Sequence, residues 1–182
     1  MRIVSGRWGG RRLTPVGRGD AAHHLRPTTD RVREALFNAL AHGRASVDLD
    51  GARVLDAFAG TGALGLEALS RGAAHATFIE RHRPALALLH ANLALLDAPA
   101  TIIARDATKP GPGHPHDVLF MDPPYGRGMG ERALAALRGN GWLAPRAAVV
   151  WEEAALPAPP DDAEPLDVRR YGDTTITILR LR

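Results

Sequence analysis

From residue 52 onward, short apolar runs alternate with segments of helical period, and this alternation restricts the fold more than any other feature of the chain. The runs at 52–58, 75–80, 100–106, 117–122 and 147–153 read as strands. The stretches at 62–72, 83–97 and 130–143 place apolar residues at helical spacing, with Pro84 tolerated in a first helical turn. Strands that are apolar throughout and separated by helices predict a parallel sheet covered on both faces. Residues 167–182 alternate with period two and close the chain as a hairpin or one bent strand. The expected architecture is α/β: a Rossmann-like, doubly wound, mostly parallel sheet with an antiparallel C-terminal strand. Before it, residues 1–16 read as two short strands around a glycine turn, and 28–42 as a helix capped by Thr or Asp and ended by Gly43. This divides the chain into a basic hairpin or arm at 1–25 and a main domain at 26–182.

In such sheets ligands bind beyond the carboxyl ends of the strands, where the strand order reverses. Four acids fall at predicted strand ends: Asp56, Glu80, Asp106 and Asp122. Asp56 is followed by "AFAGTGALG", with Gly60, Gly62 and Gly65 in a GxGxxG arrangement. Glycines permit tight turns and close backbone approach, and the following helix presents free N–H groups. Glu80, twenty residues after Gly60, stands where a dinucleotide fold keeps its ribose-binding acid, so a nicotinamide enzyme is one reading. Against it, a carboxylate at Asp56 repels a pyrophosphate and welcomes a cation. Asp106 can accept from an adenine amino group. One acid for an ammonium, one for a ribose and one for a base describe S-adenosylmethionine better than a nicotinamide dinucleotide.

"DPPY" at 122–125 is the second motif. Proline fixes φ, removes a donor and pushes the preceding residue towards extended backbone. The corner therefore offers the Asp122 carboxylate and bare carbonyls at Pro123 and Pro124, an acceptor set suited to an amine with two hydrogens to give. Tyr125 adds a flat face on which a base can stack. A plain proline turn is the bland alternative.

Composition excludes several classes. The chain has 182 residues and no cysteine, so disulfides, thiolate zinc sites and cysteine nucleophiles are out. None of its histidines has metal-ligand spacing, His23-His24 and the His114/His116 pair read as loop residues, and no metal is expected. No apolar leader or membrane-length segment occurs, which predicts a cytoplasmic protein. Residues 1–33 carry eight arginines against two aspartates, a net +6 within a whole-chain +3. A basic arm on a near-neutral body suggests a polyanionic partner; a solvated tail is the alternative.

These motifs resemble a known family. "VLDAFAGTGALGLEALSRGA" and "DVLFMDPPY" look like the first and fourth motifs of Class I S-adenosylmethionine-dependent methyltransferases acting on amino groups. "MRIVSGRWGGRRL", "LRPTTDRVREALFN" and the tail "YGDTTITILR" narrow the resemblance to the RsmD family, bacterial methyltransferases of a guanine exocyclic amine in small-subunit (16S) ribosomal RNA. The resemblance implies cofactor roles for Asp56, Gly60, Gly62, Glu80 and Asp106, with their neighbours Phe58, Thr61, Arg81 and Ala107. It implies target-amine roles for Asp122, Pro123, Pro124 and Tyr125. By position it adds Thr29 and Arg33 to the cofactor pocket, and assigns Arg2, Arg7, Arg11, Arg12 and Arg26 to RNA. It further implies action on the small subunit or its assembly intermediate; a monomer is the default expectation. The remaining rivals are a DNA or other RNA amino-methyltransferase and an RNA-binding assembly factor with a vestigial pocket.

Overall fold

The protein is described from a computed structural model, over residues 1–15, 29–42 and 45–182. Arg26, the loop at 17–27 and the expected helix stop at Gly43 lie outside the described residues. Helix α1 spans Asp30–Ala41, and the Thr29 hydroxyl accepts from Val32 N at 3.3 Å to cap it, a bond of the kind worth about 1 kcal/mol. Then follow β1 (Arg53–Ala57), α2 (Ala63–Ser70), β2 (His75–Glu80), α3 (Arg83–Leu96), β3 (Ala100–Ala104), β4 (His116–Met121), α4 (Met129–Gly139), β5 (Leu143–Glu153), β6 (Ala163–Tyr171) and β7 (Thr174–Leu181).

The seven strands form one sheet in the order β3-β2-β1-β4-β5-β7-β6. β1 to β5 are mutually parallel, and β7 runs antiparallel to both β5 and β6. The order reverses between β1 and β4, so the crevice expected of a doubly wound sheet opens at their carboxyl ends. Alternation along each strand sorts the core into two layers. Val54, Phe78, Val118, Phe120 and Val150 face α1, α2 and α3. Leu55, Ile79, Leu119, Met121, Val149 and Trp151 face α4. No helix among the described residues is long and apolar enough to cross a membrane.

Three elements differ from the sequence reading. β6 begins at Ala163, inside the stretch taken as a proline-rich loop. It is an edge strand whose register shifts between Pro165 and Asp167, a position that tolerates a missing N–H. His116 is not a loop residue: it opens β4, is buried and stacks on Trp142, and its ring nitrogens meet Trp142 O at 3.1 Å and Thr77 Oγ1 at 2.9 Å. The N-terminal segment pairs through a single antiparallel bridge, Arg2 to Arg12, rather than through two full strands.

That hairpin is held mainly from outside itself. Ile3, Trp8 and Leu13 join the buried layer above α1 and α2. Glu67 of α2 accepts from Val4 N at 2.7 Å and Ser5 N at 3.0 Å. Ser70 accepts from Trp8 N through its hydroxyl at 3.0 Å and from Arg7 N through its carbonyl at 2.8 Å. Gly6, at φ 82°, passes so close that a Cβ would collide with the Ser70 carbonyl. Arg33 is wholly buried beneath the hairpin, bonded to the Arg2 carbonyl and to Asp30, with its Nε 3.7 Å from Glu67. Removing one member of a buried ion pair strands the other, at a cost of about 3–5 kcal/mol. Glu67→Ala is therefore expected to lower Tm by roughly 10 °C in a thermal melt. A loss of only ~1–2 °C would mean that the apolar side chains alone hold the hairpin.

Candidate active site

The crevice between β1 and β4 is a cavity of about 460 Å³. Its walls bring together Asp56, Phe58, Gly60, Thr61, Glu80, Arg81, Asp106, Ala107 and the whole Asp122–Tyr125 corner. These come from the ends of four strands and the loops after them, so the topology assembles what the sequence disperses. Gly62 caps α2 beside the wall at φ 79°. A Cβ on Gly65 would run into the Phe78 ring and close on Asp56, so only glycine lets the first turn of α2 approach β1 and β2. Phe58, directly after β1, holds φ 63°, a left-handed conformation that a bulky residue rarely adopts.

The acids have distinct surroundings. Asp56 is buried and accepts from Gly65 N at 2.9 Å. Burial, opposed by that bond and reinforced by the Glu80 charge, pushes its carboxyl up to about 8. Glu80 accepts from Gly60 N at 2.9 Å and from Arg81 N and His82 N, each at 2.7 Å, and so ties the glycine loop to the end of β2. Asp106 accepts from Thr108 N at 2.9 Å, from its hydroxyl at 2.7 Å and from Arg81 Nη1 at 2.7 Å. Burial works against ionisation there, but those bonds prevail and hold the Asp106 carboxyl below its usual value.

Asp122 lies at the cavity wall, half-buried, with its carboxyl pushed well above the ordinary range. Burial is the main cause, followed by the charges of Glu152, Asp56 and Glu153. The Tyr125 phenol meets Glu152 Oε1 at 3.1 Å and Thr174 Oγ1 at 3.2 Å. Burial raises its pKa, the Thr174 bond opposes, and the Glu152 and Asp122 charges add to the rise. The phenol therefore keeps its proton at any physiological pH.

Not every expected residue reaches the cavity. Thr29 is exposed at the cap of α1, and Arg33 is committed beneath the hairpin; neither lines the wall. Arg2, Arg7, Arg11 and Arg12 are exposed on the hairpin, Arg2 pairing with Asp30 at 3.6 Å and Arg7 lying over the Trp8 ring. The structure adds Met1, Leu64, Arg105, Arg127 and Met129 to the wall. It also places Glu152 and Glu153 beside the Asp122 corner. These two close the run "AAVVWEE" at a parallel strand's carboxyl end, the same signal that marked the other four acids. Met1 carries no such signal.

Residues 1–180 match the family described as "Conserved hypothetical protein 95". The chain is 48% identical over 166 residues to "Ribosomal RNA small subunit methyltransferase D" of Escherichia coli K12, covering 88% of this chain and 79% of the relative. It is 34% identical, over the full length of both, to "Putative rRNA methyltransferase YlbH" of Bacillus subtilis. Among solved structures it resembles the "Putative methyltransferase yhhF" of Escherichia coli, with TM-score 0.86, 40% identity and coverage of 100% and 98%.

The buried carboxyl of Asp56 has a consequence for stability. A group that titrates near 3.8 when unfolded and at about 8 when folded makes the fold lose stability as pH rises between those values. Asp56→Asn keeps an acceptor for Gly65 N and removes the titration. Its Tm advantage over the unsubstituted protein is expected to be near zero at acid pH and to grow steadily as pH rises towards about 8. A difference that stays flat with pH, or falls, would contradict a buried, ligand-free Asp56 carboxyl.

Proposed function

The chain belongs to the RsmD family and is a ribosomal RNA methyltransferase, and from that premise we propose that it methylates the exocyclic N2 amine of one guanine in small-subunit RNA, with S-adenosylmethionine as donor. The observation that carries this reading is the meeting of Asp56 and Asp122 across one cavity, an acid for a cation facing an acceptor corner for an amine. The cavity suits the donor. Asp56 is a buried carboxyl that pairs with no cation among the described residues, and an ammonium group would stabilise it. Glu80 stands at the glycine loop, where it can accept from ribose hydroxyls, and Asp106 lies further along the rim towards the base. Phe58 and Ala107 supply apolar wall, and Thr61 and Arg81 flank it.

When bound, S-adenosylmethionine supplies a methyl group on a sulfonium, an excellent leaving group, so the protein's work is positioning. Asp122 and the Pro123 carbonyl accept the two amine hydrogens and turn the nitrogen lone pair towards the donor. Tyr125 stacks the base, a contact worth about 1–3 kcal/mol. Asp122 takes the proton that the amine loses, or passes it to water. A base can reach this site only when unstacked or single-stranded. The exposed arginines of the hairpin, Arg2, Arg7, Arg11 and Arg12, with Arg26, meet phosphates and fix the register of the RNA. The compact chain, acting as a monomer, takes the remaining specificity from the shape of the small subunit or its assembly intermediate.

Two experiments test this reading. Asp122→Ala is expected to cut methyl transfer at least ~100-fold while cofactor affinity, measured by titration calorimetry, changes by less than about threefold. Full activity in that variant would remove Asp122 from the mechanism. Charge reversal at Arg11 and Arg12 is expected to weaken subunit binding and reduce the slope of log K against log salt by about 1 per arginine. An unchanged slope would mean the hairpin does not touch phosphate.

A further inference from the structure

The Asp122–Tyr125 corner has an unusual fastening. Pro123 and Pro124 have no N–H, so the backbone cannot pin the corner at those positions. The pins come from the two neighbouring strands. β5 ends in Glu152 and Glu153, and β7, antiparallel to it, begins with Thr174, so all three fall at the same rim as the end of β4. Glu152 Oε1 accepts from the Tyr125 hydroxyl at 3.1 Å, the Thr174 Oγ1 lies 3.2 Å from that Tyr125 phenol oxygen, and Glu153 Oε1 accepts from Gly126 N at 3.1 Å. Glu152 is only 6% exposed, so it forms part of the enclosure around the corner.

We propose that Glu152 is a positioning residue for methyl transfer: with Thr174 it fixes the Tyr125 phenol, and so the plane on which the target base is presented to Asp122. This rests on the reading of Tyr125 as the stacking platform. It also gives the C-terminal hairpin a catalytic duty, since Thr174 begins the "TTITILR" strand that the pocket otherwise does not use. A ring held at its hydroxyl cannot slide along the corner, and a misplacement of ~1 Å can cost about 100-fold in rate.

The test separates position from bulk structure. Glu152→Ala is expected to lower kcat on small subunits about 10–100-fold, with cofactor affinity changed by less than about twofold. Glu152→Gln still offers an amide oxygen to the phenol and is expected to restore kcat to within about threefold of the unsubstituted enzyme. Tyr125→Phe removes the hydroxyl, so adding Glu152→Ala to it should cost nothing more. Full activity of Glu152→Ala, additive losses in the double variant, or Glu152→Gln as impaired as Glu152→Ala would overturn the proposal.

A second readout does not depend on RNA. The chain holds two tyrosines, so ¹³C-tyrosine labelling in a Tyr171→Phe background isolates the Tyr125 ring by NMR. Its resonance is expected to move in Glu152→Ala and to return in Glu152→Gln. If the enzyme methylates subunits but that resonance does not move, this proposal alone falls. If the enzyme labels no ribosomal RNA, the functional reading falls and takes the catalytic role of Glu152 with it, whatever the resonance does.

Discussion

The structure depends on gathering negative charge where the sheet divides. Parallel strands β1 and β4 separate at their carboxyl ends, and both Asp56 and Asp122 lie in the gap with titrations shifted upward. Burying carboxyls without a cation is unfavourable by itself. A fold accepts that cost where a ligand removes it, and shifted titrations in a cleft are the usual mark of such a place. The remaining features of the rim control this charge. Gly65 N holds Asp56, Glu80 fastens the glycine loop, Arg81 satisfies Asp106, and Glu152 holds Tyr125.

The N-terminal hairpin reaches this rim through a short polar chain. Asn92, fully buried on α3, accepts from Thr14 N at 2.7 Å and donates to the Thr61 carbonyl at 2.9 Å. Met1 lines the cavity, with its sulfur 3.7 Å from the Thr61 hydroxyl. The arginines above are thus carried on a segment whose backbone is bonded to the same α2 that opens at the glycine loop. Its exposed arginines form the face proposed to meet phosphate, and its apolar face is part of the protein's core.

Much of this was legible in the sequence because its physics is local. Continuous apolar runs between helical segments specified the parallel sheet, and each of its five parallel strands overlaps a predicted run, although β5 starts earlier, at Leu143, where the helix was expected to continue. Glycines and prolines marked the two loops that meet at the switch point. The failures arise where tertiary contacts decide. The resemblance places Arg33 near the pocket, but Glu67, Asp30 and the Arg2 carbonyl turn it beneath the hairpin. The stretch before Asp167 reads as a proline loop, yet β7 recruits its last residues from Ala163 as an edge strand. His116 reads as part of a loop, but its ring is held between Trp142 and Thr77, contacts that no local pattern encodes. Glu152 and Glu153 carried the strand-end signal, but their role becomes visible only when β5 is seen to lie beside β4.

The most direct measurement incubates the purified enzyme with tritiated S-adenosylmethionine and small ribosomal subunits from cells lacking this gene, with naked ribosomal RNA and duplex DNA in parallel. The labelled product is digested to nucleosides and the methylated base identified. The account predicts label in N2-methylguanosine, from the subunit and not from DNA. Label in another nucleoside, label confined to DNA, or no label at all would contradict it.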